Sequence, residues 1–307
     1  MFCTLEREIA SRFVLAGMNA WTQMMNFRLG LSILVLLFLF ACNSVPEVPF
    51  KQLNSLDGEL TTRIFYRSAG GNVEAYVARP RGDGPFPLVI LLHGHSLIGR
   101  GAEQVVSTAE ALAREICFAG LAISLPGYGS TEIPRGSIEG TTRQVVKDGL
   151  SMAKQLRWVD SSHIMFYGVS RGAVVAAAVL NETEGVSGAV LYSGAYDLNM
   201  LYRDTSSVWV RKLINPNGDA NPKLLNLLGE ALRWRAPTLI LHGGQDTLIP
   251  VNQALLLRDR LKAVGTPHRL VIYPENGHFL PRQSVREQTV NFLKETTPPA
   301  CSPGSGS

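Results

Sequence analysis

His163-Ile164-Met165-Phe166-Tyr167-Gly168-Val169-Ser170-Arg171-Gly172 is the stretch that decides how the chain is read. The apolar run His163 to Tyr167 has the length and composition of a buried strand. From Arg171 to Leu180, apolar residues at three- and four-residue spacing suit a helix. A Gly-x-Ser-x-Gly turn joining them directly leaves Ser170 on a sharp bend. Glycines at 168 and 172 let neighbouring backbone approach where a Cβ would clash. The placement of the motif between strand and helix, more than its letters, predicts Ser170 as a nucleophile. The competing reading is a glycine-rich turn with an incidental serine.

Outward from this point, short apolar runs bounded by Gly, Pro or polar residues predict further strands at Pro87–Leu92, Leu121–Leu125, Gly188–Tyr192, Thr238–Leu241 and Arg269–Tyr273, each buried on both faces. Helical spacing falls between them at Ala102–Phe118, Ile138–Leu156, Val251–Val264 and Ser284–Leu293, with Gly120 and Gly265 as stops. Thr62–Ser68 and Asn72–Arg79 alternate and meet across Ala69-Gly70-Gly71, as an opening hairpin does. Strands alternating with helices specify an α/β class with a mostly parallel sheet and helices on both faces. Tyr196–Arg235 breaks the rhythm and reads as a lid, with Asn221-Pro222 opening a helix that reaches Trp234.

A serine hydroxyl needs a base and a group that orients the base. His278, in the loop after the last strand, lies on the edge where Ser170 emerges. His242 ends a strand and suits packing, whereas His163 and His268 start strands at the opposite edge. Asp246, in the turn after Thr238–Leu241, completes the order Ser, Asp, His; Asp197 is the fallback acid. Backbone amides of Arg171 and His95 are the expected oxyanion donors, with Ser96 next. A zinc reading of His93 and His95 lacks a third ligand, so no metal or cofactor is expected.

These residues resemble the α/β-hydrolase superfamily, in its dienelactone-hydrolase-like and prolyl-oligopeptidase-like branch, over about Val73 to Leu293. Ala236 to His278 carries the most specific likeness, through Pro237, His242, Gly243, Asp246, Ile249, Pro250, Val251, Gly277 and His278. The resemblance implies the α/β-hydrolase fold and the triad Ser170, Asp246, His278. Dienelactone hydrolases have cysteine at the place of Ser170. The first strand begins at Thr62, leaving no room after Cys42 for the propeller of prolyl oligopeptidases.

The 307 residues carry a net charge of +4 without clustered Lys and Arg, which gives no reason to expect a nucleic-acid partner. Leu29–Ala41, apolar and preceded by Arg28, is short for a membrane span and stops at Cys42. It reads as a lipoprotein-type signal over residues 1–41, with translation starting at Met1 or at Met18, Met24 or Met25. Lipid on Cys42 would then anchor the protein in a bacterial envelope, facing the periplasm or the exterior; an uncleaved anchor and an ordinary signal are the alternatives. Residues 42–56 read as a tether, 57–295 as the catalytic domain with a lid at about 196–235, and 296–307 as a disordered tail. Cys117 is expected as a buried free thiol in preference to a disulfide with Cys301.

The chemistry expected is cleavage of a carboxylic ester through a Ser170 acyl-enzyme, with a small-molecule or peptide acyl substrate and water alone as cosubstrate. Lid residues Leu201, Tyr202, Val208, Trp209, Leu213 and Leu232 would supply an apolar pocket or pack on the core. A small exopeptidase or amidase, and a non-catalytic surface binding protein, are the competing classes.

Overall fold

Continuous apolar runs form strands that are covered on both faces. The computed structural model describes residues 47–55, 60–136, 138–215, 218, 224–229 and 233–297. The strands are β1 (Leu60–Ser68), β2 (Gly71–Arg79), β3 (Phe86–Leu92), β4 (Ala119–Ile123), β5 (Val159–Val169), β6 (Val186–Tyr192), β7 (Thr238–Gly243) and β8 (His268–Tyr273). They make one sheet in the order β1-β2-β4-β3-β5-β6-β7-β8, parallel from β4 to β8 and antiparallel at the β1–β2 hairpin and at β2–β4. Every residue of β3, β4 and β7 is buried. β8 differs from the expectation of two covered faces: it is the edge strand, and Ile272 stays 39% exposed.

Two apolar layers sandwich the sheet. On one face pack α1 (Val106–Ile116) and α7 (Arg282–Thr296), through Leu112, Ile116, Phe292 and Leu293. On the other pack α2 (Arg143–Ala153), α3 (Arg171–Leu180) and α6 (Asn252–Ala263), through Val146, Leu150, Val175, Leu257 and Leu261. α3 is buried from Gly172 to Leu180, which explains why its sequence shows so little polar face. This is the α/β-hydrolase fold.

Four local expectations are corrected. The helix expected over Ala102–Phe118 is a 3-10 turn at Ala102–Gln104 followed by α1, and it ends at Cys117, which takes the left-handed conformation at φ 56°; Gly120 lies inside β4 instead of stopping the helix. Cys117 is half-buried and disulfide-bonded, its partner outside the described residues, so it is no free thiol. The described part of the helix expected from Asn221 to Trp234 is not helical, Asn226 instead bridging to Asp197. The helices of the segment expected as a lid lie earlier, at α4 (Leu198–Asp204) and α5 (Val208–Ile214), capped by the side chains of Asp197 and Ser207.

The fourth concerns the tether, whose second half is docked on the domain. A 3-10 helix at Phe50–Ser55 buries Leu53 completely, and the Trp158 indole N–H donates to the Leu53 carbonyl at 3.3 Å. Burying one Leu side chain contributes roughly 2 kcal/mol towards holding the segment against the domain. The signal region, Cys42, Asn221, Pro222, Leu232 and Cys301 lie outside the described residues.

Candidate active site

Ser170 holds φ 51° and ψ −113°, a conformation few L-residues adopt, and its own N–H donates to the Tyr192 carbonyl at 2.7 Å. The flanking glycines make that bend possible. A Cβ on Gly168 would stand 2.5 Å from the Gly172 carbonyl oxygen, and one on Gly172 would stand 2.1 Å from the Leu92 carbonyl oxygen.

The loops after β7 and β8 bring the other two residues to Ser170. His278 Nε2 lies 3.0 Å from Ser170 Oγ, and His278 Nδ1 lies 2.7 Å from Asp246 Oδ2. Asp246 Oδ1 accepts from the amides of Leu248 and Ile249, both at 2.9 Å, which fixes the carboxylate in its own turn. Three donors thus converge on this buried acid, while His242 Nε2, 3.5 Å from Oδ2, gives its proton to the Ile249 carbonyl at 2.9 Å. Burial lowers the pKa of His242. Asp197 instead caps α4 and ties it to the 224–229 segment: its carboxylate accepts from the Met200 amide and from Asn226, and Asp246 is the acid that meets His278.

Arg171 and His95 line the same cavity as Ser170. The Arg171 N–H sits in the first turn of α3, where no intrahelical acceptor exists, and the His95 N–H has no acceptor among the described residues. Ser96, the second choice, turns its hydroxyl to the Arg100 amide. His93 is fully buried beneath this loop. The Leu125 N–H donates to its Nε2 at 3.0 Å, so its proton sits on Nδ1 and is donated to the Gly94 carbonyl at 2.7 Å. Both ring nitrogens are therefore committed to backbone, and burial pulls the His93 pKa down to about 4. Among the described residues no group of three His, Cys, Asp or Glu is arranged to hold a metal.

A cavity of about 680 Å³ opens at this point. Of the expected lid residues Leu201, Trp209 and Leu213 line it; Tyr202 instead bonds Asn215, and Val208 is 78% exposed. Sequence reasoning missed the residues that steady the His278 loop: Ser193 Oγ donates to the His278 carbonyl at 3.2 Å, and the Tyr192 hydroxyl accepts from the Leu280 amide at 2.7 Å. It also missed Tyr128, whose hydroxyl bonds His95 Nδ1, and Arg135, stacked on the Tyr128 ring. The strand-end position of Tyr192 and Ser193 was the available signal; the other two carry none.

A family model described as prolyl oligopeptidase family matches residues 140–297, more than half of the chain and inclusive of Ser170, Asp246 and His278. The chain belongs to the prolyl oligopeptidase family. Among relatives of this family member, the uncharacterized peptidase YtmA of Bacillus subtilis is 23% identical over 74% of this chain and 90% of its own length. A Salmonella typhimurium protein named as a carboxymethylenebutenolidase is 24% identical over 78% of this chain and 84% of its own. The Pyrococcus horikoshii acylaminoacyl peptidase shares the fold with a TM-score of 0.65 at 17% identity, over 82% of this chain. The chain spans less than half of that peptidase's length, 44%. As a member of the prolyl oligopeptidase family, the protein is a serine hydrolase of the type that also includes dienelactone hydrolases.

Proposed function

We propose that the protein hydrolyses carboxylic esters through an acyl-enzyme on Ser170. His278 Nε2 takes the Ser170 proton as Oγ bonds to the ester carbonyl carbon, and Asp246 stabilises the imidazolium. The oxyanion receives the Arg171 and His95 amides. Collapse breaks the bond to the alkoxide, which leaves with the proton from His278. Water then attacks the acyl-enzyme, His278 takes its proton, and the carboxylic acid departs as Ser170 recovers its own.

The observation that carries the choice of ester over peptide is the cavity lining, which among the described residues contains no Asp or Glu to receive a peptide's amino terminus and is mainly apolar. A peptidase reading draws support from the family model and from the name of the Bacillus relative. Anchoring through lipid on Cys42 belongs to the same proposal; its support is the apolar run Leu29–Ala41 ending at that cysteine.

The test is intact-mass analysis after fluorophosphonate treatment, followed by matched ester and dipeptidyl amide substrates. A single adduct on Ser170, absent in Ser170→Ala, with ester turnover far above amide turnover, is expected. No adduct on folded protein overturns the catalytic reading, and faster amide turnover replaces esterase by peptidase. For the anchor, Cys42→Ala should move the protein from the membrane to the soluble fraction; unchanged membrane association overturns lipidation.

A further inference from the structure

The cavity has two chemically different halves, divided by the position of β5 in the sheet. On the β3 and β4 side, the segments that follow those strands supply His95, Gln104 and Arg135, and α3 contributes the Arg171 side chain. On the β6 and β7 side the lining is apolar: Leu198, Leu201, Val210 and Leu213 from α4 and α5, and Leu248 and Ile249 from the turn after β7. Ser170, at the end of β5, stands at the boundary.

The polar half carries two guanidinium groups and, among the described residues, no carboxylate to balance them. Among the described residues neither Arg135 nor Arg171 pairs with a carboxylate, although other arginines do so, Arg63 with Glu74 and Arg286 with Glu115 among them. Arg171 reaches only the Gly136 carbonyl, at 3.4 Å, and its Nε is buried without a partner. Arg135 rests on the face of Tyr128, 4.7 Å from the ring centre, and is otherwise exposed. His95 adds no balancing charge; burial and these two arginines hold its pKa below the ordinary histidine value, so it is neutral at neutral pH. The largely buried, unpaired Arg171 guanidinium is costly, and the like charge of the exposed Arg135 nearby adds to that cost, unless an anion arrives. Planar guanidinium forks bind carboxylate and phosphate oxygens with charge-assisted hydrogen bonds.

We infer that the substrate is amphipathic: an ester with an apolar chain that lies against the α4–α5 half and an anionic group, carboxylate or phosphate, that meets Arg135 and Arg171. The inference rests on the esterase reading above and narrows its substrate class. Exposed apolar side chains beside the cavity fit the same assignment. Five of the six large ones among the described residues, Leu97, Ile98, Val208, Trp209 and Phe279, line it or lie within three positions of a residue that does.

The test is acid release from octanoate esters that differ only in the alcohol: ethylene glycol, glycolate, 2-hydroxyethyl phosphate and choline. A second pair, mono-octyl succinate and octyl pentanoate, puts the anion on the acyl side. In at least one arrangement the anionic ester should exceed its neutral counterpart in kcat/KM by about tenfold or more, the worth of one hydrogen bond to a charged group. The choline ester should be the poorest of its set. In Arg135→Gln the anionic-to-neutral ratio should fall towards one, and in Arg135→Lys most of it should return. The glycolate and phosphate arms tell which anion is taken. Equal rates for anionic and neutral esters in both arrangements, or preference for choline, overturn the inference while leaving the esterase intact. Failure to hydrolyse any of them, with no fluorophosphonate adduct on Ser170, overturns the esterase reading and this inference with it.

Discussion

His278 Nδ1 lies 2.7 Å from Asp246 Oδ2, and the opposite oxygen of Asp246 is held by the amides of Leu248 and Ile249. The carboxylate therefore cannot turn, and it dictates which nitrogen of His278 bears the proton. Asp246→Asn keeps the shape but presents its NH2 or its oxygen according to which group the two amides select. They demand an acceptor at Oδ1, so the NH2 faces His278 and forces the proton onto Nε2, the wrong tautomer for taking a proton from Ser170. We expect kcat to drop about 10⁴-fold, as wrong-tautomer variants of serine triads do, with little change in melting temperature. Steady-state ester hydrolysis beside thermal unfolding checks it; a loss below tenfold would remove Asp246 from the triad.

Gly172 tolerates no side chain, since the atom that a Cβ would meet at 2.1 Å is the backbone carbonyl oxygen of Leu92, not a flexible side-chain end. Gly172→Ala must push α3 away from β3 and so carry the Ser170 bend with it. Several kcal/mol of destabilisation, about 2–5, is the expected size for a backbone clash in a core. Chemical denaturation reads the cost, and the fluorophosphonate labelling rate reads the displaced nucleophile. Gly185, with φ 73° and open space around it, is the control: Gly185→Ala should cost little beyond the local strain of its positive φ.

What could be read from the sequence was whatever a local requirement dictates. The Ser170 bend announces itself because strand, glycines and helix are contiguous, and α3 because its apolar residues recur at helical spacing, although its burial from Gly172 to Leu180 goes beyond one face. Asp197 and Asp246 show why the rest was harder: both follow strands ending at the same edge, and only the tertiary path of the β8 loop decides that His278 meets Asp246. The Asn221-Pro222 signal was a sound local cap pattern, yet the chain at 224–229 instead turns back to pair Asn226 with Asp197. Leu53 looked like part of a polar tether because one buried residue in a proline-containing stretch has no periodicity to betray it. Arg135 carries no motif at all; its position beside Ser170 follows from the β4 connection, which only the folded chain brings there.

His93 should make stability depend on pH. Its pKa, about 4 in the fold, is depressed by burial from the ordinary value of 6.5, so the unfolded chain binds the extra proton first as pH falls. Stability from this group is whole above about pH 6.5 and is lost progressively down to about pH 4, by about 3 kcal/mol at most. Melting temperature measured between pH 7.5 and 4 should fall more steeply in the wild type than in His93→Gln, which retains a donor and an acceptor but does not titrate. Identical slopes would mean that His93 is not the group responsible.

The apolar half of the cavity makes a quantitative claim about chain length. Each methylene moved from water onto Leu198, Leu201, Val210 and Leu213 is worth about 0.8 kcal/mol, roughly a fourfold gain in kcat/KM per carbon, provided the contact is kept in the transition state. With 4-nitrophenyl esters the gain should continue from acetate through butanoate and hexanoate, then level off once the wall is covered. Val210 is buried and lines this space, so Val210→Trp should fill part of it and move the plateau to a shorter chain while acetate turnover changes far less. A profile flat from acetate to octanoate, or a plateau unmoved by the tryptophan, would mean that the chain lies elsewhere and that these leucines are packing for the lid alone.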